Sequence, residues 1–257
     1  MIHDLRNLMG ASTRRTARCV GEGWRVLETA AASGAEIQLV LSTPAAATES
    51  RGRIVQERLR ARGVRLVRVS PYVFESITQV EAPQGVLAVL RRPPEAPRAV
   101  LRDPRALLAV LDAVQDPGNV GTIVRTAAAV GATAAVLVGR SADPFGAKAI
   151  RSSAGAVFRL PLLSFALAAQ AAEALREQGV RVLVADPRGE QSDVEASFLR
   201  PVALVFGSEG AGTSPAWRQH GSTVRLPMVG DAESLNVAAA AAVLLYRAAH
   251  TGEIIDA

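Results

Sequence analysis

The segment Val202-Ala203-Leu204-Val205-Phe206-Gly207-Ser208-Glu209-Gly210-Ala211-Gly212 holds the first clue to this 257-residue chain. Its opening five residues are an unbroken apolar run, the pattern of a strand covered on both faces. A polar loop with three glycines follows at once. In open α/β sheets ligands bind beyond the carboxyl ends of strands, so the loop is a candidate ligand contact. Ser208 stands one position too early for the G-x-S-x-G nucleophile elbow, which argues against an esterase-like site.

Outward from this segment the same grammar repeats. Leu107 to Val114, Ala134 to Val138 and Val180 to Ala185 are further apolar runs, and Val224 to Leu226 is a shorter one. Helix-compatible stretches alternate with them at Val120 to Val130, Phe165 to Gln178 and Leu235 to His250. The alternation predicts an α/β domain with a parallel sheet.

Two more polar clusters fall at predicted strand ends. One is Gln115-Asp116-Pro117-Gly118-Asn119, a turn in which Asn119 is placed to cap the following helix and Arg125 lies further along it. The other runs from Leu226-Pro227-Met228 through Glu233-Ser234-Leu235-Asn236 into an Ala-rich helix, which Ser234 is placed to cap, with Asn236 in its first turn. Each cluster has a plainer reading: a capped helix with Arg125 on its wet face, a glycine turn with a solvated acid, a capped terminal helix. Asn236 fits the plain reading least, because asparagine is a poor helix former among apolar neighbours.

Arg91-Arg92-Pro93-Pro94-Glu95-Ala96-Pro97-Arg98 opposes both helix and central strand, and marks a boundary. It divides the chain into domains at 1–95 and 96–257. The first alternates too: Trp24 to Ala32 and Arg51 to Arg62 are helix-compatible, while Ile37 to Leu41, Val64 to Val69 and Val86 to Leu90 are strand-like. Charge follows the same division. Residues 1–105 carry 17 arginines against 10 acids, whereas residues 106–257 carry 12 basic residues against 14 acids. Biased codon usage explains arginine over lysine, but not why the acids fail to balance it only in front. That asymmetry points to a polyanion met by the first domain.

Other classes are disfavoured. No apolar run reaches the ~18–20 residues of a membrane span, and the first twenty residues have no long apolar core of a secretory signal. A cytoplasmic protein is expected. The lone Cys19 permits no internal disulfide or multi-cysteine metal site, and His3, His220 and His250 are isolated, so no metal is expected. There is no Walker A sequence, and Gly21-x-Gly23 lacks the third glycine of a dinucleotide fingerprint.

Taken together, Asp116-Pro117-Gly118-Asn119-Val120-Gly121-Thr122-Ile123 through Arg125-Thr126-Ala127, then Phe206-Gly207-Ser208-Glu209-Gly210, then Leu226-Pro227-Met228 with Glu233-Ser234-Leu235-Asn236-Val237, resemble the three motifs of the SpoU (TrmH-like) branch of the SPOUT superfamily, the RNA 2′-O-ribose methyltransferases. Ala147 to Ala156 is similar to that family's linking segment. The resemblance covers about Asp112 to Arg247. Around Gly21-Glu22-Gly23 the first domain also resembles the family's small α/β, L30e-like substrate-binding module.

The resemblance implies a deep trefoil knot in the second domain, S-adenosylmethionine bound within it, and a homodimer formed through that domain. It nominates Asn119, Arg125, Glu209, Ser234 and Asn236 for catalysis, with Gly207, Gly210, Leu226, Met228 and Leu235 around the cofactor. Structured RNA, ribosomal more than transfer RNA, would be the substrate. Arg14, Arg15, Arg18 and Arg25 are candidate contacts to it through phosphates and shape. Competing expectations are guanosine N1-type base methylation on the same fold and a catalytically silent RNA-binding protein. A nicotinamide oxidoreductase is the weakest, for want of a fingerprint.

Overall fold

A computed structural model describes residues 16–251. Arg14 and Arg15 lie outside the described residues. By packing, the chain forms two compact units: one ends at Pro94 and takes in Asp143–Arg159, the other comprises Glu95–Ala142 and the chain from Leu160 onward.

In the first unit, strands β1 (Arg18–Glu22), β2 (Ile37–Ser42), β3 (Arg65–Arg68) and β4 (Val86–Arg91) form a sheet in the order β1-β4-β2-β3. β4 runs antiparallel to both β1 and β2, and β2 pairs with β3 in parallel. Helices α1 (Trp24–Ala32), α2 (Pro44–Thr48), α3 (Ser50–Ala61) and α4 (Pro71–Glu75) connect them. In α1 the buried residues Trp24, Val26, Leu27 and Ala30 recur at helical spacing, which fixes the face turned inward. Thr43 and Ser70 cap α2 and α4, each before a proline that needs no donor partner.

The second unit holds the parallel sheet expected from the apolar runs. Its elements are β5 (Leu107–Asp112), α5 (Pro117–Ala129) and β6 (Ala134–Val138). After α6 (Ala147–Ser152) come β7 (Leu162–Phe165), α7 (Ala168–Glu177), β8 (Arg181–Ala185), β9 (Gln191–Ser192), β10 (Val202–Gly207), β11 (Ser222–Arg225) and α8 (Val237–His250). Seven strands lie in the order β7-β6-β5-β10-β8-β11-β9, with every neighbouring pair parallel. β5 and β6 are buried along their whole length, and β10 up to Phe206, so water is excluded from both faces of the sheet centre.

Residues 143–159, which carry α6, leave the second half of the chain and pack within the first unit. A bidentate ion pair holds them there: the Arg92 guanidinium donates to both Asp143 oxygens at 2.9 and 3.0 Å and lies 4.7 Å from the Phe145 ring centroid. Gly155 adopts φ +85°, and a Cβ there would stand 2.9 Å from the Thr29 side chain and 3.0 Å from the Val26 carbonyl. Only glycine lets this segment press so closely on α1.

Phe165 opens no helix. It ends β7, and α7 begins at Ala168. β1 also escapes a sequence-level strand assignment, because Arg18 and Gly21 interrupt its short apolar run. Among the described residues no helix is long and apolar enough to cross a membrane.

Glu22 is a liability of the first unit. It is buried, one oxygen accepts from Thr78 Oγ1 at 2.8 Å, and Oε2 is buried with no hydrogen-bond partner. Burial raises its pKa, with the Thr78 hydrogen bond and Arg151 opposing. A carboxyl whose pKa rises on folding stabilises the fold below its unfolded pKa and loses that stabilisation as pH climbs through the folded value. Glu22→Gln is therefore expected to melt at a higher temperature than wild type at pH 8, and the difference should vanish near pH 4. Lower melting of the variant at pH 8 would show that the buried anion is held by its partners after all.

Candidate functional site

Because the second sheet is parallel, β5, β8, β10 and β11 all deliver their carboxyl ends to one edge. β5 and β10 are neighbours there, with Asp112 opposite Gly207 in the register. The loops that follow them therefore emerge side by side, although they are distant in sequence.

Asp112 fixes this junction. It is buried, and its carboxylate accepts from the Ser214 amide at 2.5 Å and from Ser214 Oγ at 3.1 Å. The loop after β10 is thus tied back to the neighbouring strand at its far end. Within the loop the Ser208 and Gly212 backbones bond reciprocally at 3.0 and 2.9 Å. A Cβ on Gly207 would lie 2.3 Å from the Gly212 carbonyl carbon, so glycine is required for the loop to close. Nothing approaches within 4 Å of a Cβ built on Gly210, which faces open space.

The structure corrects two cap assignments. Asp116, not Asn119, caps α5, accepting from the Asn119 amide at 2.9 Å. The Asn119 side chain is left for another partner, and its Nδ2 donates to Glu209 Oε1. This bond joins the first and second motifs. Likewise Asn236, not Ser234, caps α8, its Oδ1 accepting from the Ala238 amide at 2.9 Å. Ser234 lies exposed in the preceding loop.

The loop ends enclose a cleft of about 970 Å³. Gly207, Glu209, Gly210, Leu226, Met228 and Ser234 to Asn236 all line it, with Val237, Ala240 and Leu244 of α8 as an apolar wall. Asn119 reaches the cleft through Glu209. Arg125 does not line it. This residue is exposed on α5, six positions past Asn119, which at 100° per residue turns it about 120° around the helix. Sequence reasoning missed Asp112 and Ser214, and also Asp186, Arg188 and Arg218, which line the wall after β8. The only available signal was an acid ending an apolar strand.

Residues 106–246 match the family model of the SpoU rRNA Methylase family. The chain belongs to that family. Residues 1–88 also match the MRM3-like substrate binding domain, so the SpoU chain carries an appended module in front. It is 34% identical to the uncharacterized tRNA/rRNA methyltransferase slr1673 of Synechocystis, over 96% of this chain and 90% of the relative. With the 23S rRNA (guanosine(2553)-2′-O)-methyltransferase RlmP of Bacillus subtilis it shares 38% identity, over 72% of each chain. The crystal structure of the SpoU methyltransferase AviRb from Streptomyces viridochromogenes in complex with AdoMet superposes with a TM-score of 0.86 at 29% identity, covering 98% of this chain and 97% of that one.

Two substitutions test the construction of the cleft. Asp112→Ala removes a buried acceptor and strands the Ser214 amide, with an expected loss of about 2–3 kcal/mol of stability, read by urea denaturation. Asn236→Ala should cost about 1 kcal/mol, the usual loss of an N-cap. A loss under ~0.5 kcal/mol for Asp112→Ala would mean that the loop holds itself without the strand.

Proposed function

We propose that this chain transfers a methyl group from S-adenosylmethionine to a ribose 2′-hydroxyl of structured RNA, ribosomal rather than transfer RNA. The observation that carries the proposal is the Asn119–Glu209 bond, which sets two polar motifs at the mouth of a cleft of the size used for small ligands. The names of the relatives, RlmP among them, support ribose over base methylation.

The residues present fit the cofactor. Leu226, Met228 and Leu235 offer apolar surface for an adenine, and the glycine loop offers backbone groups for hydroxyls. Glu209 and Glu233 supply negative charge for a cationic ligand. When bound, S-adenosylmethionine supplies a methyl group activated by a sulfonium. Gly207, Gly210, Leu226, Met228 and Leu235 hold it, and we take the loops around it to form the family's trefoil knot.

What the chain itself must do is make a ribose oxygen nucleophilic. Arg125 contacts the 2′-hydroxyl. A guanidinium is charged at neutral pH, so its contribution is to stabilise negative charge developing on O2′ as the proton passes to solvent water. Asn119 orients Glu209, and Ser234 and Asn236 complete the polar surround of the ribose. Arg18 and Arg25, both exposed, take phosphates of the RNA, with Arg14 and Arg15.

Arg125 is exposed and does not line the cleft of its own chain, which supports a homodimer in which it serves the partner's site. α8 adds support: Ala239, Val243 and Tyr246 form an exposed stripe at helical spacing. The reaction belongs in the cytoplasm, where ribosomal RNA is met.

Labelled S-adenosylmethionine and undermodified ribosomal RNA test the proposal. Wild type should yield alkali-resistant labelled dinucleotides, and Arg125→Ala should lose about 10²–10³-fold in rate, the scale for an oxyanion-stabilising donor. Arg125→Lys should keep a measurable part of the rate. Mixing Arg125→Ala with Gly207→Val subunits should restore activity through mixed dimers. Full activity of Arg125→Ala, or no restoration together with a monomeric mass in light scattering, would contradict the assignment.

A further inference from the structure

One wall of the cleft is left without a role by this scheme. After β8 the chain turns at Asp186-Pro187-Arg188, and across from it stands Arg218, in the 3-10 helix Pro215–Gln219. The Asp186 carboxylate accepts from Arg218 Nη2 at 2.6 Å and from the Arg188 amide at 2.8 Å. The two side chains differ in exposure: Asp186 retains 14% and Arg218 63%. The acid is thus consumed in holding the arginine and shaping the turn. The guanidinium keeps most of its five donors and borders the cavity.

The cleft carries charges of both signs. Arg188 and Arg218 belong to this wall, whereas Glu209 and Glu233 belong to the loops after β10 and β11. A ligand carrying both signs complements such a cavity. A polyanion does not, since three carboxylates, Asp186 included, share the space. The ligand assigned above has one anionic group, its α-carboxylate, and two cationic ones, the sulfonium and the ammonium. Carboxylate is also the group that a guanidinium fork matches best.

We infer that Arg218, braced by Asp186, is the recognition residue for the α-carboxylate of S-adenosylmethionine. This rests on the cleft being the cofactor site. Asp186 is a positioning residue in this arrangement, acting only through the arginine.

The test is calorimetric binding to the full-length protein, without RNA or turnover. The probes are S-adenosylmethionine and its decarboxylated form, which keeps the sulfonium and the amine. Wild type should prefer the carboxylated ligand. Arg218→Ala should bind it about tenfold or more weakly, the scale of one charge-assisted hydrogen-bond pair, with affinity for the decarboxylated form unchanged. Arg218→Lys should recover part of the preference. Equal losses for both ligands, or none for either, would overturn the role of Arg218 alone. An Arg218→Ala protein that binds both ligands as wild type does but loses RNA would transfer the residue to phosphate binding and overturn the inference. If wild type binds neither ligand, the cleft assignment itself fails and takes this inference with it.

Discussion

The Asp112 carboxylate, buried at the end of β5, receives both the amide and the hydroxyl of Ser214. Much of the site depends on this contact. Parallel pairing of β5 and β10 brings two loops to one edge, but pairing ends where the strands end. Within the loop from Gly207 to Ser214 the reciprocal Ser208–Gly212 bonds and the Ala211 amide bond to Ser208 Oγ are local, and do not tie it to the strand. The charge-assisted bond to Asp112 extends the order of the sheet into the loop. Glu209 is thereby presented where Asn119 can reach it. The sheet supplies the rigidity, and a handful of polar contacts transmit it.

Much of this architecture could be read from residues. The apolar runs around Val110, Val136, Val184 and Val205 suit strands buried on both faces, the pattern of a parallel sheet. The glycine loop at 207–212 followed from its place at a strand end. The caps were harder. Asp116 and Asn119 both suit an N-cap, and so do Ser234 and Asn236. Local sequence does not rank them, because both members of each pair are competent capping residues. Asp116 takes the cap, and Asn119 bonds Glu209. Nor could local sequence reveal that residues 143–159 would fold back on the first unit. That outcome rests on Arg92 meeting Asp143 and on Gly155 tolerating contact with α1, both long-range events.

The site relies on backbone more than on side chains. Gly207 is needed because the chain doubles back at 2.3 Å from where a Cβ would sit, whereas a Cβ at Gly210 would meet only open space. Side chains with chemistry are few, and their roles are separate. Asn119 and Glu209 link motifs, Asp186 holds Arg218, and Arg125 stands exposed on its helix. A chain that keeps an exposed arginine outside its own cleft has either a surface charge or a residue meant for another copy. Ala239, Val243 and Tyr246 lie exposed on α8. The basic first part of the chain matches the MRM3-like substrate binding domain.

The central claim is that the cleft serves methylation of a ribose oxygen. Its most direct test is to incubate the protein with S-adenosylmethionine and unmodified ribosomal RNA, digest to nucleosides, and locate the added methyl by fragmentation in a mass spectrometer. The account predicts that the methyl leaves with the sugar fragment, at a single nucleotide. A methyl retained on the base fragment would contradict it, and would assign these loops to nitrogen rather than oxygen chemistry.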